Sequence, residues 1–139
     1  MSPLRQASCV AIAGRAIVIM GEPGSGKSSL ALALIDRGAV LIGDDGVALE
    51  LRNGRVLASP PPLIAGLLEV RNIGLLNCPT AAQVPIALVL QMDREAPRFI
   101  ETAARIELGG AWLPLVRLWP DSPALHLRAE AALKVHGIV

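Results

Sequence analysis

The chain has 139 residues, 53% of them hydrophobic, and a formal net charge of +1 at pH 7, so residues 1–139 are expected to form a single compact domain with an ample core. Two Trp, one Phe, no Tyr and the absence of a basic run argue against nucleic-acid binding. With no apolar stretch near the roughly 20 residues of a membrane span, no secretory pattern and two separated cysteines, we expect a reduced cytoplasmic protein without a membrane segment.

The first half of the chain predicts a hairpin, a strand–loop–helix unit and a second hairpin. Short apolar runs bounded by Gly indicate buried strands, and a Gly after a helical segment marks its end. An Asn-Gly pair between two apolar runs is a strong signal for a tight hairpin turn. In chain order the predicted elements are strands at 8–12 and 16–20, a helix at 29–35, a strand at 39–43, and a hairpin of 46–51 and 56–58 around Asn53-Gly54.

The second half of the chain carries weaker structural signals. After a proline-rich break, residues 63–68 are expected to form a short turn or helix. Three further strands are predicted, at 86–90, 104–108 and 113–118. A last helix is expected to start near 121–123, and its apolar positions recur near helical spacing at Leu125, Leu127, Ala131, Leu133 and Val135.

A complete phosphate-binding loop follows the apolar run 16–20 and precedes the predicted helix. Its residues are Gly21, Glu22, Pro23, Gly24, Ser25, Gly26, Lys27 and Ser28. In such a loop the backbone N–H groups and the helix N-terminus face an anion, the Lys reaches the β- and γ-phosphates, and the Ser hydroxyl suits Mg²⁺. The sequence therefore predicts that this phosphate loop binds ATP and Mg²⁺; a Gly/Ser-rich turn without a nucleotide is the alternative.

Two acidic residues, Asp44 and Asp45, end the strand predicted at 39–43. A strand that ends in acids after a phosphate-loop helix places them at the carboxyl edge of the sheet, near the phosphates. One acid can hold Mg²⁺ while the other accepts a proton from an attacking hydroxyl. The alternative is a plain Asp-Asp-Gly turn, since these residue types are common in turns.

A carboxylate and a guanidinium stand two positions apart at Glu69 and Arg71. In an extended segment both side chains point to the same side, so Glu69 could meet a metal ion beside Arg71 on a phosphate. A surface strand that carries an ion pair explains the same spacing equally well.

Together these residues resemble one family, HPr kinase/phosphorylase, over about residues 6–75. The resemblance rests on the phosphate loop, on the segment from Arg37-Gly38 to Asp44-Asp45, and on residues 68–75, which look like the family's Glu-Ile-Arg-Gly-Leu-Gly-Ile signature. It implies an α/β fold, a P-loop domain like the HPr kinase C-terminal and phosphoenolpyruvate carboxykinase cores. It also implies that Lys27 binds phosphate and that Ser28 and Glu69 bind the metal ion. Asp44 would exchange the proton, with Asp45 assisting at the metal.

The chain departs from the family pattern at several positions. Gln6 stands where the family has a catalytic histidine, and Gln carries neither a proton nor a charge near neutral pH. The family's late catalytic arginine has no firm match; Arg98 is the best candidate. The family's usual N-terminal domain has no counterpart, so the chain resembles the short single-domain forms.

The function that the resemblance implies is that of an ATP- and Mg²⁺-dependent serine kinase acting on an HPr-like phosphocarrier protein, with the reverse phosphorylase activity left open. The family also implies a homo-oligomer, a hexamer. Two alternatives remain on sequence grounds: a small-molecule phosphotransferase of the P-loop type, and a non-catalytic nucleotide-sensing module.

Overall fold

The computed structural model describes residues 2–139, which form a curled β-sheet with two helices on one face. A separate two-stranded hairpin, made of β7 and β8, stands beside the sheet. In chain order the elements are β1 (Ser2–Arg5), β2 (Ser8–Ile12), β3 (Arg15–Met20), α1 (Lys27–Asp36), β4 (Val40–Gly43), β5 (Gly46–Arg52), β6 (Arg55–Ser59), β7 (Leu67–Val70), β8 (Gly74–Asn77), β9 (Val84–Met92), β10 (Ala104–Leu108), β11 (Ala111–Leu118) and α2 (Leu125–His136).

The long strand β9 organises the sheet. It pairs in parallel with β3 along one edge; the other edge pairs first with β6 and then with β11. The strand order is β1-β5-β6-β9-β3-β2-β4, with β10 continuing from β11. Because β6 and β11 pair with successive parts of the same edge of β9, the sheet divides along this edge and curls. None of the helices within residues 2–139 is long and apolar enough to cross a membrane.

Both faces of the central strands are buried. Ile17 and Ile19 of β3 belong to the core under α1 and α2, while Ala16 and Val18 belong to a second core on the opposite face. A strand buried on both faces has no polar side to expose, which explains its continuous apolar sequence.

The structure confirms the predicted α/β class and most of the predicted elements. Both hairpins form, with Ile12 paired to Arg15 and Arg52 paired to Arg55 across two-residue turns. The prediction of a short turn or helix at 63–68 is wrong at its C-terminal end, because residues 67–70 form β7 and pair with β8. Strand β1 was not predicted.

The predicted apolar face of the last helix is also wrong in part. Leu125 and Leu133 are buried as expected, but they share their face with Ala129 and Ala132. Leu127 and Val135 are 46% and 71% exposed. Positions 125, 129, 132 and 133 follow the i, i+4, i+7, i+8 pattern, whereas Leu127, Ala131 and Val135 form a separate i, i+4 row that faces away from the core.

The acidic pair is carried by a tight turn between β4 and β5. Cys9 of β2 pairs with Gly43 and Val10 pairs with Leu41, so β4 has one extra residue between these pairs, which makes a β-bulge. A β-carbon on Gly43 would overlap the carbonyl oxygen of Gly46. Only a residue without a side chain lets the chain reverse this closely.

We therefore expect Gly43→Ala to lower the free energy of unfolding by about 2 kcal/mol or more, since the added methyl group meets rigid backbone. Gly46→Ala is the matched control. A β-carbon at position 46 would have its nearest non-neighbouring atom 3.7 Å away, at ordinary contact distance. Urea unfolding of both variants measures the difference. Equal midpoints would show that the turn relaxes without cost.

Candidate active site

The phosphate loop has the geometry that anion binding requires. Helix α1 begins at Lys27, directly after Gly26, whose φ of +97° lies in the left-handed region. The first N–H groups of a helix have no acceptor within the helix, so they are available to a phosphate. The Lys27 ammonium donates hydrogen bonds to the carbonyl oxygens of Gly21 at 2.7 Å and Glu22 at 3.0 Å, and so folds back over the loop.

A cavity of about 410 Å³ opens over the loop. The residues that the sequence singled out line it from four parts of the chain. They are Lys27 and Ser28 at the start of α1, Asp44 and Asp45 at the β4–β5 turn, Glu69 on β7, and Arg71 just after β7. The structure therefore brings these six residues to one place.

Asp44 is the best-anchored side chain of this cavity. It is 7% exposed. Its Oδ1 accepts hydrogen bonds from the hydroxyl groups of Ser28 at 2.7 Å and Ser8 at 2.9 Å, and its Oδ2 accepts one from the backbone N–H of Glu69 at 3.0 Å. A buried carboxylate needs such donors to offset its lost hydration.

Asp45 has a contrasting environment. Its residue is exposed and its φ of +58° lies in the left-handed region, so its side chain leaves the turn in a different direction from that of Asp44. Its carbonyl oxygen accepts a hydrogen bond from the backbone N–H of Gln6 at 3.2 Å. Asp45 also borders a neighbouring apolar cavity of about 520 Å³, which Gln6 lines as well.

Glu69 and Arg71 both line the loop cavity, although only Glu69 belongs to the strand. Arg71 lies in the turn after β7, and its guanidinium approaches Gly24 of the loop, with Nη2 3.6 Å from where a β-carbon on Gly24 would be. Within residues 2–139 the two side chains form no ion pair with each other. The guanidinium is therefore placed toward the phosphate loop.

Arg98 is not brought to this cavity. It is exposed and lines a different cavity with Arg117, Trp119 and Arg128. Arg117 faces Asp93 at 3.6 Å, and the guanidinium of Arg128 lies 5.6 Å from the Trp119 ring centre. Within one chain, the geometry gives no support to Arg98 as a residue that meets the transferred phosphate.

The donor groups of the cavity fit a cation that binds few protein ligands. Residues 2–139 contain no cluster of three or more His, Cys, Asp or Glu side chains arranged around one point. Mg²⁺ usually keeps several waters and binds one or two carboxylates together with substrate phosphates. The Ser28 hydroxyl donates its hydrogen bond to Asp44, which leaves the lone pairs of the Ser28 oxygen for a cation. Burial raises the pKa of the Cys9 thiol well above its usual range, so that thiol stays protonated and is a poor ligand.

Sequence reasoning missed one residue that contacts this group, Ser8. It is 1% exposed, and its hydroxyl contacts Asp44 across 36 positions of sequence. The only available signal was a single polar residue at the start of an apolar strand, which also fits an ordinary strand end.

Comparisons with known proteins point to one family. The family profile described as HPr Serine kinase C-terminal domain matches residues 3–105. HPr kinase/phosphorylase of Clostridium tetani is 42% identical over 71 residues, or 51% of this chain and 23% of that protein. The same enzyme of Cupriavidus metallidurans is 47% identical over 91 residues, or 60% of this chain and 28% of that protein. The chain thus spans about a quarter of the length of these curated relatives.

A solved structure extends the likeness to nearly the whole chain. The Hpr(Ser) kinase/phosphatase of Coxiella burnetii superposes with a TM-score of 0.83 at 25% sequence identity, and the match covers 96% of this chain and 89% of that one. The likeness therefore includes β10, β11 and α2, which lie beyond or at the edge of the family profile.

Proposed function

The chain belongs to the family of the HPr serine kinase C-terminal domain, and from that membership we propose that it transfers the γ-phosphoryl group of ATP to a serine of an HPr-like phosphocarrier protein. One observation carries the proposal: a single cavity brings residues of the phosphate loop together with two adjacent acids, a further carboxylate and a guanidinium. Phosphoryl transfer mostly requires positioning and charge stabilisation, and these are the groups that supply both.

The nucleotide phosphates would lie on the loop amides and the N-terminus of α1. Lys27 would exchange its two carbonyl acceptors for phosphate oxygens, whose negative charge makes the interaction with the ammonium stronger. Arg71 would approach the same phosphates from beyond Gly24. Ser28 and Glu69 would hold Mg²⁺, which when bound neutralises charge on the phosphates.

The geometry favours a different division of roles between the two acids from the one that the family resemblance implies. Asp44 is buried and accepts three hydrogen bonds, one of them from Ser28, so it is suited to the metal side of the cavity. Asp45 is exposed on the cavity wall, where a protein hydroxyl could reach it. We therefore assign the proton transfer to Asp45 and the support of the metal ligand Ser28 to Asp44.

In this reaction the serine oxygen of the acceptor forms a bond to the γ-phosphorus as the bond to the β,γ-bridging oxygen breaks. The hydroxyl proton passes to the Asp45 carboxylate, and ADP leaves. Lys27, Arg71 and the loop amides stabilise the charge that spreads over the phosphoryl oxygens. In the phosphorylase reaction, an oxygen of inorganic phosphate would form a bond to the phosphorus of phosphoserine as the bond from that phosphorus to the serine oxygen breaks. Pyrophosphate would leave, and the serine oxygen would take the proton from Asp45.

The direct test is incubation of the protein with ATP, Mg²⁺ and purified HPr-like acceptors, followed by mass spectrometry of the acceptor serine. Phosphoserine on one acceptor is the expected result. ATP turnover without an acceptor protein would favour a small-molecule phosphotransferase, and nucleotide binding without any turnover would favour a sensing module. Sedimentation of the same sample tests the hexamer.

We expect ATP with Mg²⁺ to raise the melting temperature, because a ligand that binds only the folded state stabilises it by mass action. Lys27→Ala should remove most of that shift, since it removes the ammonium that reaches the phosphates. Thermal melts with and without nucleotide measure both effects, and the nucleotide-free melt of Lys27→Ala controls for its lost loop contacts. Melting of the wild type that does not respond to saturating ATP and Mg²⁺ would contradict the assignment of the loop.

The two acids should respond differently to substitution. Asp45→Asn should keep nucleotide binding and lower kcat by about 100-fold or more, because an amide cannot accept the serine proton. Asp44→Asn should instead raise the Mg²⁺ concentration needed for half-maximal activity. Steady-state kinetics across a Mg²⁺ series separates the two effects. The opposite pattern would return the proton to Asp44, as the family resemblance implies.

Gln6 should leave the phosphorylase reaction weaker than the kinase reaction. Attack of inorganic phosphate on phosphoserine brings two anions together, and an imidazole at this position could supply a positive charge or a proton. Gln6→His should therefore raise the phosphorylase rate more than the kinase rate, measured on the same acceptor in both directions. Equal gains, or none, would mean that position 6 takes no part in the reaction.

A further inference from the structure

Ser8 is, apart from Asp44, the only buried polar or charged side chain among residues 2–139. It begins β2, on the same sheet face as Val10 and Ile12, which pack in the core under α1. A hydroxyl at such a position loses its hydration and needs a partner. Its only side-chain hydrogen bond runs to Asp44 Oδ1, at 2.9 Å.

The donors around Asp44 divide unevenly between its two oxygens. Both hydroxyl groups, those of Ser8 and Ser28, donate to Oδ1, which fills the two lone-pair positions of that oxygen. Oδ2 accepts only the Glu69 N–H. The three donors come from β2, α1 and β7, so the carboxylate plane is fixed by contacts from three separate elements.

From this arrangement we propose that Ser8 is a positioning residue that acts through Asp44 on Ser28. The Ser8 hydrogen bond holds Oδ1 toward the start of α1. There Oδ1 accepts the hydroxyl hydrogen of Ser28 and leaves the Ser28 oxygen lone pairs free for a cation. The inference rests on the proposed function, in which Ser28 is a Mg²⁺ ligand. Partners of metal ligands commonly matter in this way, because they orient the ligand and raise its basicity.

An apolar residue would serve the core better than Ser8 if packing were the only role of the position. The neighbouring buried side chains of β2 are Cys9 and Val10, and Val at position 8 would add apolar burial without a hydroxyl to satisfy. Loss of the Ser8 hydroxyl would instead leave one lone pair of a buried carboxylate without its donor and free the carboxylate to turn.

The test compares Ser8→Ala with the wild type in two measurements. The first is the Mg²⁺ concentration at half-maximal ADP-induced shift of the melting temperature, a binding readout that needs no turnover. The second is kcat at saturating Mg²⁺. We expect the Mg²⁺ midpoint to rise about tenfold, with kcat at saturation changed less than the midpoint. Ser8→Thr, which keeps the hydroxyl, should restore the wild-type midpoint.

Two further variants separate positioning from loss of stability. Ser59→Ala removes a serine hydroxyl that accepts the Gln83 N–H at 2.9 Å on β6, away from this cavity; it should lower stability without moving the Mg²⁺ midpoint. In an Asp44→Ala background, Ser8→Ala should add no further change, since residues that act through one group are not additive. This double variant still tests the role of Ser8 if the larger Thr side chain prevents Ser8→Thr from folding.

An unchanged Mg²⁺ midpoint in Ser8→Ala, or an equal shift in the Asp44→Ala background, would overturn the role of Ser8. Either result could occur in a protein that phosphorylates its acceptor normally, so the proposed function would stand. Conversely, a Ser8-dependent midpoint for ADP in a protein that transfers no phosphate would support the role of Ser8 and contradict the kinase. A wild type that shows no Mg²⁺-dependent ADP shift would overturn both.

Discussion

The site depends on the hydrogen bonds that converge on the Asp44 carboxylate. One comes from Ser8 of β2, one from Ser28 of α1 and one from the N–H of Glu69 on β7. The β7–β8 hairpin belongs to no other sheet, and this contact is one of the few polar links that hold it beside the phosphate loop. Because each donor belongs to a different element, this one carboxylate links the start of β2, the start of α1 and the hairpin.

Backbone geometry brings that carboxylate to the loop. The bulge in β4 shifts its register against β2, so that Cys9 lies opposite Gly43. The next residues outward from this pair are Ser8 and Asp44, whose side chains form a hydrogen bond. The close approach at Gly43 then turns the chain sharply, and Asp45 continues in the left-handed region. Two consecutive acids thus point to different surroundings, one buried and one exposed. The proposed division of roles between them rests on this difference in environment, since the two side chains have the same chemistry.

The parts of the site that the sequence predicts are those whose signals are local. The phosphate loop, its flanking strand and helix, and the acids at the end of β4 each occupy a short continuous segment with a known physical purpose. The role of Ser8 could not be predicted, because it depends on a partner 36 positions away in the sequence. A β-bulge brings the two residues together, and no local sequence pattern predicts that bulge.

The position of Arg98 could not be predicted for a related reason. An arginine in a loop carries no periodicity that fixes which cavity it lines. In α2, two interleaved apolar rows had equal helical spacing, and only tertiary packing decided which one is buried.

The charges of the cavity are matched only to neutral partners within the described chain. Asp44 is held by two hydroxyls and an amide, and Lys27 by two backbone carbonyls; neither belongs to an ion pair within residues 2–139. Neutral donors orient a charge without cancelling it, so the field of the acids remains available to a cation and that of Lys27 to an anion. A nucleotide alone would satisfy Lys27 but bring its negative phosphates toward Asp44, Asp45 and Glu69. A nucleotide that carries a divalent cation would satisfy both sides at once, so the proposed function calls for the metal complex rather than the free nucleotide.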